Sequence, residues 1–320
     1  MNAESREAET LSTQCAHTVL MVRPASFYAN PETLATNAFQ HAVPVPATDT
    51  LAAAQAEFDR AAESIAAAGV EVVIAEAVAG DDTPDALYPN NWFSTHADGR
   101  IVLYPMAVPS RRRERRPELL AALAKRHRWH VGGTVDLTGL EAAAQFVEGT
   151  GSLVLDRSAR LAYAAHSPRT HPAAVERVCM ELGYEPVVFD AQDAQGRAVY
   201  HTNVLMSVGH GLAVLASGTI APGAGLRRVF DALERSGQAL LDISTEQVAE
   251  FAGNALFLDG GREGPLVALS RRAYASLTRP QRALLERYAR PVLCAVETIE
   301  HVGGGGIRCM LAEIFLPPAA

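Results

Sequence analysis

Hydrophobic positions along the chain alternate between two rhythms. A run with apolar residues every three to four positions, "LAAAQAEFDRAAESIAAAG", passes directly into a β-branched run, "VEVVIAEA". The pairing recurs in "RPELLAALAKRHR" with "WHVGGTVDL", in "PAAVERVCMELG" with "PVVFDA", in "GLRRVFDALERSG" with "QALLDIS" and in "RPQRALLERYA" with "PVLCAVET". The first rhythm predicts an amphipathic helix and the second a strand. Further β-like runs lie between the pairs, at 18–24, 100–106, 152–167, 202–217 and 255–270. Each unit therefore holds three strands and one helix over roughly 50–60 residues, a period that signals a repeat architecture. Five units predict an α/β fold of five ββαβ-type blades closed into a ring, with "GIRCMLAEIFLP" as the late strand that closes it. Closure leaves few free sheet edges.

Composition narrows the setting. The chain has 320 residues, 48% hydrophobic and 20% charged, the balance of a soluble globular protein. A single catalytic domain is expected over 18–320. Residues 1–17 are expected to be a disordered lead-in, because "MNAESREAETLSTQ" is polar and lacks the apolar core of a signal peptide. No stretch approaches the ~18 apolar residues of a membrane span. A net charge of −8 gives no reason to expect nucleic acid as a partner. The one basic cluster, "SRRRERR" at 110–116, reads as a solvated helix face. Four cysteines, scattered and without a CxxC pair, suit a reducing cytoplasm better than disulfides or zinc. Neither a metal nor an organic cofactor is expected.

Candidate chemistry begins with "HVGGGGIRCM". Four glycines are costly to order, so the backbone there must approach something closely or adopt positive φ. Cys309 follows them. A buried strand cysteine is the plain alternative, and it suits Cys179 and Cys294. His201 in "VYHTNVLMS", at the start of a strand, is either structural or the imidazole a thiol nucleophile needs. Glu148 in "FVEGTGSLVLD" is either a strand end or a carboxylate placed for function. Asn90 and Asn91 in "YPNNWFSTH" form a turn, and Trp92 and Phe93 after them wall a pocket or fill the core. Arg169 in "HSPRTHP" either starts a helix or grips a substrate carboxylate. "GGGG" is no phosphate loop, since it lacks the Gly-Lys-Ser/Thr ending and a strand is expected after it.

In this order, these fragments resemble the guanidino-group-modifying enzyme superfamily of arginine deiminases, dimethylarginine hydrolases, amidinotransferases and arginine dihydrolases. "FVEGTGSLVLD", "SPRT", "YHTNVLMSVG" and "GGGGIRCM" carry the resemblance over about residues 18–317. "VRPASFYANPETLATNAFQ", "YPNNWFSTH" and "LYPMAVPSRRRERRPE" look closest to the citrulline-utilisation hydrolases, the CtlX-like subfamily. The resemblance implies the five-bladed α/β propeller, or pentein, with an axial active site. It implies Cys309 as nucleophile, His201 as general acid/base and Glu148 as the group binding the substrate's planar nitrogen head. Asn91 and Asn203 stand where the deiminases have substrate-binding aspartates. Arg169 and Arg112 match arginines that hold the substrate carboxylate, and Asn30 matches a contact to its amino-acid end.

The two asparagines are the informative departures. A guanidinium is a cation with donors only, which favours carboxylates, whereas a neutral ureido group offers an acceptor as well. Citrulline is thus favoured as the small-molecule substrate, with ornithine, ammonia and carbon dioxide as products. Arginine deimination or dihydrolysis, dimethylarginine hydrolysis, amidino transfer and a non-catalytic binding pentein are the alternatives. A homo-oligomer is compatible with any of them.

Overall fold

The computed structural model describes residues 13–42 and 47–319. Five three-stranded sheets share one plan: a short inner strand, an antiparallel middle strand, a helix, and an outer strand parallel to the middle one. In the second blade these are Phe93–Thr95, Arg100–Leu103, helix Pro117–His127 and Gly133–Asp136. The third blade uses Val154–Asp156, Leu161–His166, Pro172–Leu182 and Glu185–Asp190. The fourth uses Met206–Val208, Leu212–Leu215, Ala224–Arg235 and Ala239–Asp242, and the fifth Leu256–Asp259, Pro265–Ser270, Arg279–Tyr288 and Arg290–Cys294. The first blade is closed by the late strand Ala312–Ile314, which pairs with Thr18–Arg23 in the register Thr18↔Ile314, and Thr18–Arg23 pairs in parallel with Glu71–Glu76. Inner strands of neighbouring blades lie together, Ala312–Ile314 beside Phe93–Thr95 and Met206–Val208 beside both Val154–Asp156 and Leu256–Asp259. This is the α/β pentein ring that the repeat predicts.

Local sequence explains each layer. Middle strands are apolar between their end residues because both faces are covered; Leu161–His166 is buried at every position but its last. Outer strands alternate, as in Glu185–Asp190, whose Val187 and Phe189 face inward, the period-2 signature of one covered face. Helix Pro172–Leu182 starts with His171 accepting the Ala173 N–H, takes Pro at its first turn, and buries Ala174, Val175, Val178, Cys179 and Leu182 on one stripe. It stops at Gly183, in the left-handed region at φ 70°, as a helix C-terminus favours. Cys179 and Cys294 are free, buried core residues, and so are Trp92 and Phe93. No helix among the described residues is long and apolar enough to cross a membrane.

Three local expectations change. Residues 1–12 of the expected lead-in lie outside the described residues, but 13–17 are folded. Gln14 is buried, donates to the carbonyls of Leu155 (3.0 Å) and Val208 (3.2 Å), and accepts from the Arg157 N–H (2.7 Å), so it joins two blades. The chain directly after the glycine run makes a helical turn, Ile307–Met310, before the strand. The basic cluster is no solvated face: Arg111 is buried among carboxylates.

Replacing Gln14 with Ala removes the side-chain partner of two carbonyls and of two N–H groups, those of Arg157 and Ser158. It is expected to cost about 1–3 kcal/mol, read as a lower denaturant midpoint at unchanged slope. An unchanged midpoint would mean that the Gln14 hydrogen bonds contribute nothing to stability.

Candidate active site

The polar groups of the site stand on the short segments that lead into the five inner strands. The turn Pro89–Asn91 presents Asn91. Glu148 directly precedes the turn Gly149–Ser152, and His201 directly precedes Thr202–Val204, which carries Asn203. Asn254 precedes Leu256–Asp259, and Cys309 sits in Ile307–Met310. Asn91, Glu148, His201, Asn254 and Cys309 follow one another at intervals of 53–57 residues. One repeat period thus brings one group from each blade to the same end of the ring.

Glu148 is fully buried. Its Oε1 accepts the Ala107 N–H (2.9 Å) and its Oε2 lies 2.8 Å from His201 Nε2. Arg169 and Arg111 approach the same oxygen at 3.6 and 3.9 Å. Burial alone pushes its carboxyl up, but Arg169, His201 and Arg111 together bring it down to about 2. Burial likewise lowers His201, to about 4; Glu148 opposes this, while Arg169 and Arg111 reinforce it. His201 is therefore neutral at pH 7. The carboxylate can only accept, so Nε2 carries the proton and Nδ1 keeps the lone pair. Each of the Glu148 oxygens thus holds one hydrogen bond and keeps a further lone pair, and Glu148 stands behind His201, outside the lining of the cleft.

Cys309 is buried, and its Sγ accepts from Asn254 Nδ2 (3.2 Å) and Asn203 Nδ2 (3.5 Å). Burial raises its pKa above the ordinary thiol value, while the Asn254 donor, the Arg308 charge, the Asn203 donor and Arg111 pull against that rise. The glycines before it make close approaches possible. A Cβ on Gly303 would come within 2.1 Å of the Tyr88 hydroxyl. Gly304, at φ 66°, lies against Asn37, where a Cβ would meet Nδ2 at 2.6 Å.

Asn91, Arg169, His201 and Cys309 line one cleft with Thr33, Asn37, Asp85, Tyr88, Arg111, Tyr200 and Gly303–Gly305. Asn91 Oδ1 accepts from Arg111 Nη1 at 2.7 Å. Its Nδ2 is buried and has no hydrogen-bond partner among the described residues. Arg169 donates to Thr36 Oγ1 (2.6 Å from Nη2) and to the Thr33 carbonyl. Arg112 points elsewhere, to the carbonyls of Met106 (3.0 Å) and Ala107 (3.2 Å) and to Glu141. It steadies the segment whose Ala107 N–H meets Glu148. Its neighbour Arg111 takes the cleft position, because Glu114, Asp85 and Glu148 supply the carboxylates that a buried guanidinium needs. Asn30 lies one layer back, donating to Asp85 Oδ2 (2.8 Å) and Ser110 Oγ (3.1 Å).

The cleft holds about 20 Å³, room for about one water molecule. Residues 33–40 cover it, held by Arg169 and by Asn37 Nδ2, which donates to the Gly303 and Gly304 carbonyls. A larger cavity of about 470 Å³ lies beyond Tyr200 and Phe39, but Glu148, His201 and Cys309 do not line it.

The sequence reading missed Arg111, Asp85 and Asn254. The repeat interval reaches Asn254 in "AGNALFLDG" once His201 and Cys309 are aligned. Arg111 has no comparable signal, since four arginines surround it.

Fold and cleft together define a pentein of the guanidino-group-modifying superfamily, a hydrolase acting on C–N bonds other than peptide bonds. The model of the N,N-dimethylarginine dimethylhydrolase family, eukaryotic, matches residues 23–316, and the chain belongs to that family. No curated protein matches the chain by sequence. Among solved structures, the N-terminal domain of ArgZ, an arginine dihydrolase from the ornithine–ammonia cycle in cyanobacteria, is 16% identical. The match covers 94% of this chain and 98% of that domain at a TM-score of 0.71. DDAH from Pseudomonas aeruginosa is 14% identical over 94% of this chain and 100% of its own, at 0.65. A complex of AgrE with L-arginine is 15% identical over 95% of this chain and 40% of its own, at 0.70.

Two measurements follow from this geometry. His201 is lowered to about 4 from an ordinary 6.5, so the folded state resists its protonation. Its contribution to stability is intact above about 6.5 and is lost as pH falls towards 4, on the order of 3 kcal/mol over that window. Denaturation at stepped pH should show this component in the wild type and not in His201→Gln; parallel curves would contradict the burial argument. Asn254→Ala removes the shorter of the two donors to Sγ. The apparent pKa for alkylation of Cys309 by iodoacetamide, followed by mass spectrometry, should rise, and the rate at fixed pH should fall in proportion to the thiolate lost. An unchanged rate profile would show that the donor does not act on the thiol.

Proposed function

We propose that this protein hydrolyses the ureido group of citrulline to ornithine, ammonia and carbon dioxide, with Cys309 as nucleophile, His201 as general acid/base and Asn91 as the residue that reads the head group. The observation that carries the reading is Asn91 itself. Arg111 has only donors, so Asn91 must turn Oδ1 toward it and leave Nδ2 as the unpartnered group. A ureido oxygen accepts from that donor; a guanidinium has nothing to accept with.

In the resting protein both partners are neutral: Cys309 holds its proton and His201 lacks one. Attack on the ureido carbon passes the thiol proton to His201, and Glu148 stabilises the imidazolium. The bond from the carbon to the ornithine nitrogen breaks, and His201 returns its proton to that nitrogen. The remaining S-carbamoyl group is attacked by water, with His201 taking a proton again. The S–C bond breaks, His201 returns that proton to the Cys309 sulfur, and carbamic acid leaves and decomposes to ammonia and carbon dioxide. Two moderate steps replace one difficult displacement. Arg169 is the partner for the substrate carboxylate, once residues 33–40 move outward to admit it. The related proteins support these roles. An ArgZ cysteine-to-serine variant holds substrate, a P. aeruginosa DDAH cysteine-to-serine variant holds citrulline, and an ArgZ asparagine-to-serine variant carries a covalent reaction intermediate.

A second reading, arginine or a methylated arginine, is favoured by Asp85. Its buried carboxylate lines the cleft, although Arg111 at 3.7 Å shares its charge.

Cys309→Ser should abolish ornithine and ammonia release while the fold persists. Asn91→Asp replaces the free donor with an acceptor. It is expected to shift the citrulline-to-arginine ratio of kcat/KM toward arginine by about 1.5–3 kcal/mol, roughly ten- to a hundredfold. A wild type that prefers arginine, with no change of ratio in the variant, would sink the citrulline assignment and favour the second reading.

A further inference from the structure

A second cavity of about 220 Å³ is lined by Thr13, His96, Asp98, Arg100, Arg157, Arg160, Tyr184 and Phe315, none of which lines the catalytic cleft. Its charge is unbalanced. Arg100 is matched by Asp98 at 2.5 Å. Arg160 has no carboxylate partner among the described residues; it binds the Gly183 and Leu182 carbonyls and lies over the Tyr184 ring. Arg157, nearly fully buried, has Glu313 at 3.8 Å as its one carboxylate partner among the described residues, and Glu313 is shared with buried Arg308 at 3.7 Å. Arg157 Nη2 and Arg308 Nη1 have no hydrogen-bond partner among the described residues.

Such a pair is costly unless something answers it. Each guanidinium carries five donors, and a buried cation without charge-assisted hydrogen bonds loses the hydration that burial removed. Arg157 stacks on Phe315, with its guanidinium carbon 3.8 Å from the ring centre. That contact serves the face of the group but not its N–H edge. The neighbouring imidazole fits the same field. His96 Nε2 pairs with Ser94 Oγ at 2.9 Å, and the ring is held neutral, first by burial and then by Arg157. A tetrahedral phosphate dianion, with three strong acceptor oxygens, can take more of these guanidinium N–H donors at once than a planar carboxylate can.

We propose that this cavity is a second ligand site, for a phosphate group, with Arg157 and Arg160 as its principal donors, and that a bound phosphate is felt at Cys309 through Arg308. Arg308 directly precedes Cys309 in the chain, and its positive charge favours the thiolate. A dianion next to the Arg157–Glu313–Arg308 cluster offsets that field and slows reaction of the thiol. The site does not depend on which substrate the cleft takes.

The test is calorimetric titration of the full chain with inorganic phosphate, at ionic strength matched with chloride, for wild type, Arg157→Lys and Arg160→Met. Wild type should bind at millimolar concentration or below, and each variant should weaken binding at least tenfold. Arg157→Lys keeps the charge and the stem, so the pair of variants guards against a folding defect at one position. The rate of Cys309 alkylation by iodoacetamide should fall severalfold when phosphate is added to wild type and not in the variants. Glycerol phosphate is a further arm: tighter binding than inorganic phosphate identifies an esterified phosphate as the ligand, and weaker binding identifies the free ion. Absence of phosphate binding overturns the site. Equal binding in all three proteins overturns it too, by placing the anion elsewhere, for instance against Arg111 and Arg169. Unchanged alkylation in wild type with phosphate bound overturns the link through Arg308.

Discussion

The arrangement rests on one buried carboxylate. Glu148 has no exposed surface, and an unpaired anion there would cost several kcal/mol. The surrounding chain answers it from three blades: the Ala107 N–H and Arg111 from the second, Arg169 from its own, and His201 from the fourth. These groups cannot satisfy Glu148 unless the blades are in register, so the ion cluster couples ring closure to the assembly of the site. Removing the carboxylate would leave two buried arginines facing each other, a larger loss than a single hydrogen bond represents.

The same cluster sets the protonation states. Two arginines close to Glu148 keep it ionised and, with burial, keep His201 neutral. Burial keeps Cys309 a thiol despite two amide donors and the Arg308 charge. The resting pair is therefore neutral, and in the proposed mechanism an ion pair forms only when a proton crosses to His201. Glu148 then sits opposite the imidazolium at hydrogen-bond distance. Glu148 is thus the group that offsets, at His201, the opposition of burial and the two arginines to an imidazolium.

The ring was legible in the sequence because each layer has its own period. Two-sided burial makes the middle strands apolar between their end residues, one-sided burial makes the outer strands alternate, and the helices keep a single stripe. What sequence could not separate was local direction. Arg111 and Arg112 are adjacent and chemically identical, yet a helical turn sends one to Asp85, Glu114 and Glu148 and the other to two backbone carbonyls and Glu141. Cys309 sits in a helical turn before its strand, as the segment entering an inner strand is a turn in the second, third and fourth blades as well. Gln14 reads as part of a polar tail because its value lies in bonds to Leu155, Arg157 and Val208, far away in the chain.

Repetition supplies the frame, but selectivity comes from breaking it. Five equivalent positions deliver an amide, a carboxylate, an imidazole, a second amide and a thiol to one end of the ring, and only that asymmetry distinguishes a catalytic axis from a plain core. Within it, Asn91 gains its meaning from Arg111. An asparagine free to rotate could present either its oxygen or its nitrogen and would discriminate poorly between a ureido and a guanidinium group. Held at 2.7 Å by a partner that can only donate, it presents nitrogen alone. Arg111 is in turn held by Glu114, with Nε at 2.9 Å and Nη2 at 2.8 Å. On the proposed reading, a preference for a neutral head group would rest two residues deep, on a carboxylate that fixes a guanidinium that fixes an amide. An exchange at Glu114 would loosen it without touching the substrate.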